Sequence, residues 1–121
     1  MVAPVSRMIR VDKVWLTLGA HDMRCGMDGL LGHVVRHFES GAQAHHAYIF
    51  TNRRANRLKV LVYDGAGLWL CMRRLQTGSF SWPTQTDGSV SINHEQLNWL
   101  IAGLPWQRMS EHANARAITV V

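Results

Sequence analysis

Three observations predict an α+β domain: a small, mostly antiparallel sheet with two helices in the order β-α-β-β-β-β-α. Leu58 to Asp64 and Leu68 to Leu75 are apolar, partly β-branched runs on either side of Asp64-Gly65-Ala66-Gly67, the pattern of a hairpin. Val11 to Leu18 alternates as a strand does. Two other stretches, opening near Met23 and at Asn93, repeat apolar residues at helical spacing and end in glycine. Strands and helices in that sequence argue a sheet with helices covering one side. The 121 residues suffice for one domain with a modest core that needs neither disulfides nor metal. That domain is expected over 11–105, with loosely tied ends at 1–10 and 107–121. Ile118 to Val121 either adds a short strand or extends from the fold.

In the first strand Val14, Leu16 and Leu18 share one face, and Lys13, Trp15 and Thr17 the other. Gly19-Ala20-His21-Asp22 turns the chain, and Asp22 is suited to cap the helix that follows. That helix repeats Met27, Leu30, Leu31, Val34, Val35 and Phe38 along one face and stops at Gly41. Gly26, Gly29 and Gly32 lie together on a different face, and each costs about 1 kcal/mol against alanine. Either close packing against a strand or another helix explains them, or close approach of a partner's backbone beside Arg36.

His46 to Thr51 reads as the second strand and leads into the basic loop Asn52-Arg53-Arg54-Ala55-Asn56-Arg57. The central hairpin follows. With a three-residue loop Gly65-Ala66-Gly67, Tyr63 opposes Trp69 and Lys59 opposes Arg73. One face then holds Leu58, Val60, Val62, Leu70 and Met72, and the other Arg57, Lys59, Tyr63, Trp69, Cys71 and Arg73. Two cations opposite one another repel unless an anion lies between them, so this register makes the second face a phosphate-contacting surface with rings beside it. A two-residue loop would mix the faces. Ser79 to Trp82 is expected as a short strand ending at Pro83, and Thr84 to Ser89 as loop. Asn93 opens the last helix with Gln96 in the capping-box position and Ile92 paired with Leu97 as a staple. Leu97, Leu100, Ile101 and Leu104 form its apolar face, and Gly103 and Pro105 end it.

A formal net charge of +5 favours an acidic partner, of which nucleic acid is the commonest. The two cysteines have neither the number nor the spacing of a zinc site or disulfide framework and suit a reducing cytosol. No stretch approaches a membrane span, and the first ten residues lack a signal-peptide core. A soluble intracellular protein without membrane partners is expected.

Seven histidines invite a metal reading, best carried by His33 and His37 at i, i+4 with His45-His46. Glu39 points away from that face, so surface histidines and no metal are expected. A nuclease needs about three convergent carboxylates. Asp22 and Asp64 already have uses as cap and turn residue, and neither cysteine stands in the context of an activated thiol. No cofactor and no enzymatic activity are expected. The nucleic-acid reading rests on Arg53, Arg54 and Arg57, extended along the hairpin by Lys59, Arg73 and Arg74 as phosphate contacts. Tyr63, Trp69 and Trp82 offer stacking surfaces; the equally open reading makes Trp69 and Trp82 core or interface anchors and the arginines a solvated rim.

The strings His21 to Leu30, Asn52-Arg53-Arg54 with Lys59, Tyr63 to Gly67, and Arg73-Arg74-Leu75 to Phe80-Ser81-Trp82-Pro83 resemble, in this order, the TnpB-type accessory proteins of the insertion-sequence-sixty-six elements. The likeness runs from about Val11 to Pro105. It implies a bacterial mobile-element protein, encoded beside a separate transposase and needed for transposition, with no catalytic position of its own. The family pattern falls on Asp22, Met23, Arg24, Gly26, Gly29, Asn52, Arg53, Arg54, Lys59, Asp64, Gly67, Arg74, Leu75, Gly78, Phe80, Trp82 and Pro83. Cys25 stands where the family usually has lysine, Tyr63 where it has tryptophan and Gln76 where it has glutamate. The function expected is a non-enzymatic transposition factor in the bacterial cytoplasm or on its nucleoid, contacting DNA through Arg53, Arg54, Arg57, Lys59, Arg73 and Arg74 with Tyr63 and Trp69 as rings. The alternative is a module that docks on the transposase or a second accessory protein through Trp69, Trp82 and Trp106 and never touches DNA.

Overall fold

A computed structural model describes residues 9–110. The elements are β1 (Lys13–Thr17), α1 (Met27–His37), β2 (His46–Thr51), β3 (Arg57–Tyr63), β4 (Leu68–Arg74), β5 (Ser89–Ile92) and α2 (His94–Ile101). Residues 106–110 add a further helical stretch. The order and the α+β class agree with the sequence reading.

The five strands form one sheet in the order β4-β3-β2-β1-β5. β1 and β2 are parallel, joined by α1 as a crossover, and the other three pairings are antiparallel. β2 and β3 lie inside the sheet and are buried along nearly their whole length. Their alternate residues face two separate cores. Ala47, Ile49, Leu58, Val60 and Val62 point to the side where Leu97 and Leu100 of α2 pack with Phe80 and Trp106. Tyr48, Phe50 and Leu61 point to the other side, against Leu30 and Val34 of α1. The two helices thus cover opposite faces, not the one side expected from the element order. A mid-sheet strand with apolar residues on both of its faces needs a cover on each.

Four further expectations change. The β3-β4 register pairs Tyr63 with Leu68, Val62 with Trp69, Lys59 with Met72, Leu58 with Arg73 and Arg57 with Arg74. The loop is therefore the four residues Asp64 to Gly67, because Asp64 Oδ1 accepts from both Ala66 N–H (2.8 Å) and Gly67 N–H (2.6 Å) while the Asp64 N–H reaches Gly67 O. Ser79 to Trp82 forms no ladder; its Phe80 and Trp82 join the α2-side core, and the fifth strand lies at β5 instead. Asp22 does not cap α1, whose N-cap is Gly26 without a side-chain bond. Its carboxylate takes the Arg24 backbone N–H (2.9 Å) and the Arg24 guanidinium. Close packing does not explain the glycine face of α1 either. A Cβ on Gly26 would meet nothing, and on Gly29 or Gly32 only Cys25 or Arg36.

Helix α2 starts as its sequence predicts, with Asn93 accepting from Gln96 N–H (2.8 Å) and Gln96 Oε1 accepting from Asn93 N–H (2.8 Å). Gly103 follows at φ 78°, donating to Leu100 O, which closes the helix end. Ile9 and Trp106 are buried, so the described ends of the chain are tied into the α2-side core. The expected extra strand at Ile118 to Val121 lies outside the described residues.

Candidate nucleic-acid interface

The β2-β3 connection is built by two asparagines. Asn52 O accepts from Ala55 N–H (3.0 Å), which closes a tight turn whose central residues are Arg53 and Arg54. Asn52 Oδ1 accepts from the N–H groups of Asn56 (3.0 Å) and Arg57 (3.1 Å), and its amide donates to Asn56 Oδ1 (2.6 Å). Ala55 holds φ 53°, a left-handed conformation kept in place by its own carbonyl accepting from Phe80 N–H (2.6 Å). Leu75 N–H donates to Asn56 O (2.9 Å). The loop is thus braced from inside and by the segment after β4, while both of its arginine side chains stand exposed.

The same end of the sheet gathers three more arginines. Arg57 begins β3 directly opposite Arg74 at the end of β4, on one face, and Arg73 lies on the reverse face, across from Leu58. No carboxylate among the described residues pairs with any of these five within 4.0 Å. The nearby Asp22 is engaged by Arg24 through two parallel N–H···O bonds, which hold its pKa at about 2. Cross-strand cations at Arg57 and Arg74 repel across about 5 Å of sheet, an arrangement that an anion between them relieves.

The structure divides the remaining predicted site residues between scaffold and far end. Lys59, expected at the phosphate surface, is only 8% exposed; its Nζ donates to Met23 O (2.7 Å) and Cys25 O (2.8 Å) and holds the loop before α1 onto the sheet. Tyr63 and Trp69 sit at the opposite end of the hairpin from Arg57 and Arg74, five to six strand steps and roughly 17–20 Å away. There Tyr63 Oη donates to Gly65 O and Trp69 Nε1 donates to Asp64 Oδ2 (2.8 Å), so these rings close the Asp64 turn and do not flank the arginines. Trp69 and Arg73 also change face relative to Lys59, the consequence of the one-residue register difference. Trp106 is buried and donates to Ser81 O (2.6 Å), and Trp82 packs against the same core. Of the three tryptophans expected to dock a partner only Trp69, 48% exposed, offers a surface.

The histidines also rearrange. His45 and His46 lie apart from the helix, with His46 Nδ1 accepting from Trp15 Nε1 (3.1 Å). His21, which helical spacing does not single out, instead meets His33 with 3.2 Å between their Nε2 atoms, and His37 stacks on His33. Burial pushes His33 down to about 4 and lowers His21 as well, so the pair rests neutral with one ring donating to the other. His33 and His37 border an open cleft of about 280 Å³ with Thr86 and Asp87. Among the described residues no group of three or more His, Cys, Asp or Glu has a metal-holding arrangement. No described helix is long and apolar enough to cross a membrane.

Residues 12–111 match the family described as IS66 Orf2 like protein. The chain is 33% identical over 99 residues to the uncharacterized protein y4hO of Sinorhizobium fredii, covering 82% of this chain and 86% of that protein. It is 32% identical over 88 residues to the uncharacterized protein y4jC of the same organism, covering 73% and 75% of the two chains. No solved structure matches. The chain belongs to the IS66 Orf2 like family, the transposition-associated accessory proteins of insertion sequences.

Proposed function

We propose that this accessory protein acts in the bacterial cytoplasm without a catalytic step of its own and serves transposition by gripping the phosphate backbone of DNA through Arg53, Arg54, Arg57 and Arg74, with Arg73, on the reverse face, outside the grip. The observation that carries the reading is the convergence of these four arginines, from two chain segments, on one end of the sheet with no carboxylate among the described residues to neutralise them. Guanidinium forks on a rigid turn suit bidentate contact with phosphate oxygens. Backbone contact of this kind supplies affinity and orientation and carries no base sequence by itself. Lys59 serves as scaffold, and Tyr63 and Trp69 stand outside the contact. The partners of the complex are then element DNA and the separate transposase.

The test is binding of purified protein to labelled duplex carrying the element's terminal repeats, against scrambled duplex of equal length, across a salt series. Arg53, Arg54 and Arg57 changed together to alanine weaken binding at low salt and flatten the slope of log K against log salt by roughly 0.9 for each phosphate that the variant no longer neutralises. Unchanged affinity and slope would remove the arginine end from the DNA-binding surface. No binding by the wild-type chain at low salt would instead favour docking on the transposase, the reading to which the half-exposed Trp69 lends support.

A further inference from the structure

Strand β4 closes one edge of the sheet, and no described strand pairs with its outer side. The antiparallel alternation is set at its two ends by the bonds from Asp64 N–H to Gly67 O and from Leu75 N–H to Asn56 O. It turns the backbone groups of Trp69, Cys71 and Arg73 inward to β3 and those of Leu68, Leu70, Met72 and Arg74 outward. No described backbone group bonds to the outward set. Edges are ordinarily blunted by shortness, proline, a bulge or charged side chains, and β4 carries charge only at its last two residues, Arg73 and Arg74. β5, the other edge, is four residues long, whereas β4 runs seven residues with neither proline nor glycine and carries Trp69 at 48% and Met72 at 63% exposure.

We propose that β4 pairs antiparallel with β4 of a second copy of this chain about a two-fold axis at Cys71, joining two five-stranded sheets into one of ten strands. Cys71 is the midpoint of Leu68–Arg74, so this register overlaps the strands fully and pairs all four outward residues of each copy. Leu70 then stands opposite the other copy's Met72, covering the most exposed large apolar side chain of the described residues. Trp69 faces the other copy's Arg73, whose guanidinium Nε is buried without a hydrogen-bond partner in the single chain. An arginine over an indole ring is favourable, and every arginine in the seam meets an apolar or aromatic residue. A register centred on Arg73 would set two guanidinium groups against each other. Cys71 meets its own copy as a non-hydrogen-bonded pair, with Cα atoms about 4.5 Å apart, inside the range a disulfide spans.

The experiment uses the full chain carrying Cys25→Ser, which leaves Cys71 as its sole thiol. Sedimentation at micromolar concentration should give twice the 13.7 kDa chain mass, and diamide should convert the two Cys71 thiols to one reducible inter-chain disulfide. Met72→Lys, at an exposed position, should shift the protein to monomer and abolish the cross-link while its circular dichroism stays unchanged. Met72→Pro removes only an outward N–H and should do the same. A monomer at all accessible concentrations overturns the proposal. So does a dimer that survives both variants or gives no Cys71 cross-link. Monomeric behaviour with the outward amides of Leu70 and Met72 protected from hydrogen exchange would assign the edge to the chain's own residues and equally overturn it. None of these readouts depends on DNA.

Discussion

Lys59 lies two residues along β3 from Arg57 and on the same face, yet its ammonium is spent on two backbone carbonyls. Replacing it with methionine leaves the Met23 and Cys25 carbonyls without their donor, a destabilisation of about 1–3 kcal/mol. Urea unfolding of Lys59→Met should show that decrease, and the salt slope of DNA binding should remain that of the wild type. A reduced slope with unchanged stability would return Lys59 to the phosphate contacts. At His33 the sign of the pH effect follows from burial. Its folded-state pKa is about 4 against 6.5 unfolded, so the unfolded chain binds more protons between those values. The stabilising contribution is complete above about pH 6.5 and declines as pH falls toward 4. The urea midpoint of the wild type should drop across that window more steeply than that of His33→Gln.

Among the elements, legibility tracked how local the determining contacts are. The start of α2 was readable because Asn93 and Gln96 satisfy each other within one turn, and Asn93→Ala should lower stability by about 1 kcal/mol in thermal or urea unfolding. The start of α1 was not, because Arg24 competes for the Asp22 carboxylate and delays the helix to Gly26. The β3-β4 hairpin was found, but its register was not. Asp64 with two nearby glycines fits a three-residue or a four-residue loop, and only the bonds from Ala66 and Gly67 decide between them. That single residue of slip sends Trp69 and Arg73 to the other face, which is why the candidate site was legible as an arginine list and not as a surface. The β2-β3 turn supports a further prediction. Asn52→Ala removes the acceptor of the Asn56 and Arg57 amides, so DNA affinity should fall even though every arginine is retained.

For the whole molecule, the two cores share one sheet, and β2 and β3 belong to both. Val34→Ala on the α1 side and Leu100→Ala on the α2 side each hollow out a fully buried site; the leucine truncation should cost about 2–5 kcal/mol and the valine somewhat less. Far-ultraviolet circular dichroism and tryptophan fluorescence should still report one coincident transition in both variants, since neither cover can leave without exposing the common sheet. Two separate transitions would mean that the layers fold independently. The two-sided cover had a sequence signal: Ala47 to Phe50 and Val60 to Val62 are apolar at every position, not at every second one, as strands buried on both faces are.

The mixed connectivity of the sheet also sets an order of assembly. β2, β3 and β4 are a meander of neighbours, closed by short turns, whereas Lys13 must reach His46 across the whole of α1 and Val14 must find Ile92 near the other end of the chain. Loop-closure entropy is small for the first kind of pairing and large for the second. During synthesis every strand of the meander is present once Arg74 has emerged, whereas the pairing of β1 with β5 must wait for Ile92. The arginine end can therefore be assembled before the sheet that carries it is finished.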